Sequence, residues 1–274
     1  MTTSITNRSV LAPTPGVGIT RRHFINSTAA LTAGGATEGF RPAASWAASP
    51  PPNNFDLRDG VNYVTAVKDQ GLKCNACTAF AVVAAVECTY NKKNNLPGSG
   101  GPDLDEMDLF TNPGPPSGCV TTHWWPRHAL AYCMTNGLKR EGSSNPRVYA
   151  AATYLLTDKL NETKEKMKDW ISSRGPVIAV MVQYDDFYQF GKDWTGPGPN
   201  TAVYGPGKQK DPGKVVGGHT IAIVGYSQNQ YWICKNSWGP GWNGDGFVYI
   251  EQGQGNRAET YIDLIDVWGV NVLP

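Results

Sequence analysis

The sequence predicts an α+β fold in which a helical half precedes a β half, and three patterns carry that expectation. From Cys77 to about Tyr90 the chain is apolar on nearly every side, which marks a helix enclosed by neighbours and not one laid on a surface. Residues 159–173 are rich in Lys and Glu around an apolar stripe, the pattern of an amphipathic helix. From Gly175 onward the period changes. Runs 177–182, 220–224, 231–235 and 247–251 are short, rich in β-branched and aromatic residues, and separated by Gly, Pro and Asn turns, which predicts an antiparallel sheet or barrel. A cleft between two such halves is a usual place for a ligand site.

The remaining elements follow in order. Residues 48–53 hold three consecutive prolines and form a stiff leader. Residues 54–150 make the helical half: an extended lead-in over 64–70, the helix from Cys77, and Pro- and Gly-rich loops at 97–102 and 112–118. A second helix then runs from Trp125 to Met134, with Pro126 in its first turn and Gly137 just past its end. Residues 151–274 make the β half. No internal repeat is visible.

The 274 residues suffice for one large domain or two lobes with a real core. The net charge of +1 and the absence of a basic stripe exclude nucleic acid as a partner, since nothing is arranged to neutralise phosphates. Residues 1–47 stand apart. Thr20-Arg21-Arg22-His23-Phe24-Ile25 precedes a mildly apolar stretch, and Ser45-Trp46-Ala47 offers a small-x-small cleavage site. Those features look like a twin-arginine export signal of the bacterial kind. No Cys precedes Cys74, which argues against a lipoprotein anchor, and no apolar run reaches the ~18 residues of a membrane span. The expectation is a protein exported to the periplasm or beyond, with no folded prodomain in the few residues between Ala47 and Asn54.

Three dispersed segments carry chemistry. Gln70-Gly71-Leu72-Lys73-Cys74-Asn75-Ala76-Cys77 runs into the apolar helix, Gly217-Gly218-His219-Thr220 opens a strand-like run, and Asn236-Ser237-Trp238-Gly239 lies beyond it. A Cys at a helix start is favoured as thiolate by the aligned peptide dipoles, and an imidazole facing it adds an ion pair. Read alone, Cys74-x-x-Cys77 also fits a redox pair or half a zinc site. Neither has support: no second C-x-x-C exists among Cys88, Cys119, Cys133 and Cys234, and no βαβ unit surrounds the motif.

Gln, then Cys at a helix start, then a strand-borne His, then Asn-Ser-Trp, resembles the papain-like cysteine peptidases. His219 lies 142 residues after Cys77, inside the family's span of about 130–150, and Asn236 lies 159 after it. The resemblance runs from Asn54 to roughly Gly253. It implies a two-lobed α+β fold, a helical lobe and an antiparallel β-barrel lobe, with the site in the cleft between them. Within that site it implies Cys77 as nucleophile, His219 as its base, Asn236 as the group orienting the imidazole and Gln70 as an oxyanion donor. Trp238 would shield the His–Asn bond, while Thr220, Gly218, Thr122 and Trp124 would line the substrate cleft. It also implies a Cys74–Cys119 disulfide with Cys77 free; Cys88, Cys133 and Cys234 are odd in number, so at least one is a thiol. No cofactor or metal is implied, and the expected partner is a peptide or protein substrate met by a monomer.

The chain departs from the family pattern in places. One extra residue separates Gln70 from Cys77, Thr78 stands where a Trp follows the nucleophile, and Asn112 stands where a second disulfide would begin. The family's Gly-Gly after Gly118-Cys119 is replaced by Val120-Thr121-Thr122-His123-Trp124. Those side chains either narrow the non-primed subsites or swing aside. The leading expectation is a secreted thiol peptidase working through an acyl-enzyme. A papain-like binding or scaffold protein with weak catalysis and a Cys-dependent acyltransferase are its rivals.

Overall fold

The computed structural model describes residues 50–71, 75–112, 124–143, 147–205, 214–253 and 262–273, all inside one compact unit, Arg41–Pro274. The expected export signal over residues 1–47 therefore lies outside the described residues, as do Cys74, Cys119 and Thr122.

Helix α1 (Cys77–Lys93) is the axis of the helical part, and its burial follows from its composition. Ala79, Val82, Val83, Ala85 and Val86 are all buried, spread round the helix, so neighbours enclose it. Three helices or segments do so. Helix α2 (Glu106–Thr111) starts where the Asp105 side chain accepts from the N–H groups of Met107 and Asp108. Helix α3 (Pro126–Asn136) has its proline at the first position and stops at Gly137, whose φ of 67° an L side chain would resist. Leu104, Leu109, Phe110, Leu130 and Cys133 close the packing round α1, and Ile178, Val270 and Val272 reach in from the sheet.

The sheet has eight strands: β1 (Asn54–Asp56), β2 (Ala150–Tyr154), β3 (Val177–Tyr184), β4 (Val203–Tyr204), β5 (Val215–Ser227), β6 (Tyr231–Lys235), β7 (Phe247–Glu251) and β8 (Trp268–Val272). Their spatial order is β2-β8-β3-β5-β6-β7-β4, with β1 pairing on β5. Every pairing among them is antiparallel except β4 with β7. Helix α4 (Leu160–Ser173) turns Met167, Trp170 and Ile171 into a second core beneath the sheet. A side chain at Gly269 would collide with the Trp170 ring, its Cβ meeting Cε2 at 2.3 Å, so only glycine lets β8 pass under the helix. Helix α5 (Asp185–Lys192) follows β3 directly and buries Phe187.

A polar network ties segment 65–68, α1, α2 and β6 together. Buried Glu87 accepts from the Thr65 hydroxyl at 2.7 Å and from the Leu104 N–H at 2.8 Å. Lys235 Nζ donates to Thr65 Oγ1 at 2.9 Å, and Lys68 Nζ reaches Glu106 at 2.9 Å and Asp103 at 2.6 Å. Burial nevertheless wins at Glu106, pushing its carboxyl up to about 7 against the pull of Lys68. Such groups are tolerated inside because each finds partners.

Candidate active site

Cys77 is the first residue of α1, and Ala76 before it supplies no side-chain cap. The first-turn N–H groups are thus left to serve whatever sits over the helix start, where the dipole favours an anion. Burial by itself pushes the Cys77 thiol up. A hydrogen bond and the charge of His219, with the backbone N–H and hydroxyl of Thr220, outweigh it, and the thiol lies below its ordinary value. The other described cysteines show burial prevailing. Cys88, Cys133 and Cys234 are free and buried; Cys88 and Cys133 are pushed up to about 12, and Cys234 well above the usual range.

His219 sits on β5 opposite Met181 of β3 and is buried. Its Nε2 lies 2.8 Å from Asn236 Oδ1. An amide oxygen only accepts, so Nε2 carries the proton and Nδ1 is the nitrogen left for Cys77. Asn236 follows β6 immediately, and the same Oδ1 accepts from the Ser237 N–H at 2.9 Å, which fixes the amide's orientation. The β5–β6 hairpin thereby delivers both partners of the pair to one end of the sheet.

Aromatic rings cover the His–Asn bond. Trp238 lies over the imidazole with centroids 4.7 Å apart, Phe187 stands 5.4 Å from Trp238, and Trp242 backs it edge-on at 5.1 Å. Excluding water there strengthens the bond between imidazole and amide. Sequence reasoning named Trp238 and missed Phe187 and Trp242; nothing local in their segments pointed to the site.

Gln70 is held at both ends of its residue by Ser237: its N–H donates to Ser237 O at 2.9 Å, and its Oε1 accepts from Ser237 Oγ at 2.6 Å. With the oxygen so engaged, the amide turns its Nε2 the other way. Ser237 itself was passed over in the sequence, although it lies between two residues that were singled out. Thr220 and Trp124 are buried beside α1, and Gly218 is half-buried on β5. Thr78 Oγ1 donates to the Trp124 carbonyl and lies 2.8 Å from Thr220 Oγ1. The structure thus brings Cys77, His219, Asn236, Trp238 and Thr220 together, with Gln70 joined through Ser237.

The described residues thus place a thiol at a helix start, an imidazole on a strand and an amide behind it, in a mixed helical and antiparallel-sheet fold. Residues 51–264 match the family model described as papain family cysteine protease. The chain belongs to that family. It is 31% identical over 227 residues to cathepsin J of Rattus norvegicus, covering 76% of this chain. It spans 62% of that relative's length. Two solved structures share the fold. The bromelain protease from Ananas comosus superposes with a TM-score of 0.58 at 21% identity, covering 80% of this chain and 99% of the other. A cysteine protease of Carica candamarcensis gives 0.59 at 24%, covering 80% and 98%.

Proposed function

We propose that the protein is a cysteine peptidase that hydrolyses peptide bonds with Cys77 as nucleophile, His219 as acid and base, and Asn236 as the group that holds the imidazole. The observation that carries this is the lowered Cys77 thiol beneath an imidazole whose far nitrogen is fixed 2.8 Å from Asn236. The Cys77 proton passes to His219 Nδ1, and the thiolate attacks the scissile carbonyl carbon. The carbonyl electrons move onto oxygen, where Gln70 Nε2 and the Cys77 backbone N–H receive them. As the C=O re-forms, the C–N bond breaks and His219 gives its proton to the departing amine. Water then attacks the thioester, His219 takes a proton from it, and release of the acid restores the thiol. Gly218, Thr220, Trp124 and Thr122 line the substrate side, a Cys74–Cys119 bridge steadies the nucleophile loop, and the protein acts as a monomer of two lobes, residues 54–150 and 151–274.

Cys77→Ala removes the nucleophile without emptying the core. Its expected outcome is complete loss of peptide hydrolysis across a peptide library with an unchanged melting temperature. Residual turnover at the wild-type rate would end this reading.

Residues 1–47 act, in the same proposal, as a twin-arginine export signal of the bacterial kind. Fused to a reporter in a bacterium with that export route, the segment carries the reporter across the inner membrane, and Arg21→Lys/Arg22→Lys stops it. Equal export by both forms would refute the assignment.

A further inference from the structure

Asn236 commits one end of its amide to the candidate site and leaves the other unmet. Its Oδ1 accepts from His219 Nε2 at 2.8 Å and from the Ser237 N–H at 2.9 Å. Its Nδ2 finds no partner among the described residues, although the side chain is buried and the residue only 3% exposed. A buried N–H without an acceptor costs free energy, so a partner is expected there. Asn236 also lines a pocket of about 290 Å³, together with Lys68, Glu106, Lys235 of β6, and Ala81 and Ala84 of α1. The oxygen is turned to His219, so the nitrogen is the polar end left for that pocket.

The pocket is rich in donors. Lys235 is buried, and its one hydrogen-bond acceptor among the described residues is the Thr65 hydroxyl at 2.9 Å. That hydroxyl donates onward to Glu87 at 2.7 Å, so a neutral group separates the two charges. Two N–H groups of the Lys235 ammonium remain. Among the described residues Glu106 is the one carboxyl on the lining. Both its oxygens lie 2.9 Å from Lys68 Nζ, which also meets Asp103. We propose that the pocket binds a small monovalent anion of chloride's kind, with Asn236 Nδ2 and Lys235 Nζ as its donors, and that the bound anion steadies the amide that orients His219. The effect on turnover rests on the Cys77–His219–Asn236 reading; the binding does not. A single negative charge answers the one ammonium that has no carboxylate in direct contact, whereas a second would oppose Glu87 and Glu106. Burial pushes the Lys235 ammonium down, and an anion beside it restores the charged form. Burial likewise pushes Glu106 up to about 7, so on the acid side of that titration the pocket carries no anionic group of its own.

The test compares the full chain in sodium chloride and in sodium gluconate, a bulkier anion, at equal ionic strength and on the acid side of the Glu106 titration. Chloride NMR line width reports binding, the melting temperature reports the stabilisation that binding brings, and kinetics on a peptide amide reports turnover. The protein is expected to broaden the chloride line and to melt higher in chloride. Its kcat rises about threefold or more in chloride with KM little changed, because a steadier amide holds the imidazole better. Ala84→Leu fills the pocket and leaves every charge in place, and Lys235→Met removes the ammonium. Both variants lose the broadening and the chloride dependence of melting and kcat. No broadening by the wild-type protein, with equal melting temperatures in the two salts, overturns the proposal and leaves water as the partner of the amide. A full chloride response in folded Ala84→Leu overturns it too, since the anion then sits elsewhere. Binding with no chloride effect on kcat overturns the link to His219. Chloride binding without hydrolysis in either salt sinks the peptidase reading and upholds the anion site.

Discussion

Four described cysteines share one side-chain chemistry and differ only in surroundings. Cys88, Cys133 and Cys234 meet apolar packing and are held as inert thiols, small hydrophobes that fill the core. Cys77 meets an imidazole, an N–H and a helix start, and its thiol moves the other way. The same contrast of surroundings governs Gln70, whose Oε1 is occupied by the Ser237 hydroxyl. Gln70→Ala is expected to lower kcat by roughly 10²-fold with KM little changed, the scale of losing one oxyanion donor. Steady-state kinetics on a peptide amide checks it, and an unchanged kcat would place Gln70 outside the reaction. Ser237→Ala gives a smaller loss, because the backbone bond from Gln70 N–H to Ser237 O survives.

Elements with their own periodicity were legible from sequence. Helices α1, α3 and α4 and strands β6 and β7 fall where apolar pattern, Pro126 and Gly137 put them. Those that escaped are short or depend on distant partners. Helix α2 has six residues, too few to show a period, and its cap at Asp105 is the one local signal it offers. Asp105→Ala removes the acceptor of two N–H groups and is expected to cost about 1 kcal/mol, measured by urea unfolding. No change in the midpoint would mean that water replaces the cap fully. Strand β2 is Ala-Ala-Ala-Thr-Tyr, poor strand material by composition, and it is extended because β8 offers it five residues of antiparallel register. Helix α5 is set by the end of β3 and by Phe187 seeking the aromatic cluster around Trp242.

At the scale of the molecule the candidate site lies where two cores meet. One surrounds α1 and the other lies between α4 and the sheet, and strand residues such as Ile178 and Val270 belong to the α1 core while their neighbours Val177 and Ala179 belong to the sheet core. Alternation along β3 thus serves both cores at once, which keeps the Cys77 helix and the His219 strand in fixed relation. The Glu87–Thr65–Lys235 and Lys68–Glu106 contacts cross the same seam. Removing one partner there leaves a buried polar group unsatisfied, at a cost of about 1–3 kcal/mol, so the network opposes separation of the parts.

From the chain alone came the α+β order, the helix that presents Cys77, and the set Gln70, Cys77, His219 and Asn236. The order and the helix are written in local pattern, and the four-residue set follows from the resemblance of its flanking motifs to the papain-like peptidases; neither needs knowledge of what packs on what. Only the tertiary structure decided that Thr78 meets both the Trp124 carbonyl and the Thr220 hydroxyl, that Ser237 sets the Gln70 amide, that Phe187 and Trp242 complete the wall over His219, and that Cys88, Cys133 and Cys234 are all free thiols. The physical reason is common to these cases. A hydrogen bond or ring contact between residues far apart in sequence leaves no periodic trace in the chain, and it exists only once both cores have packed and water has been excluded from the seam between them.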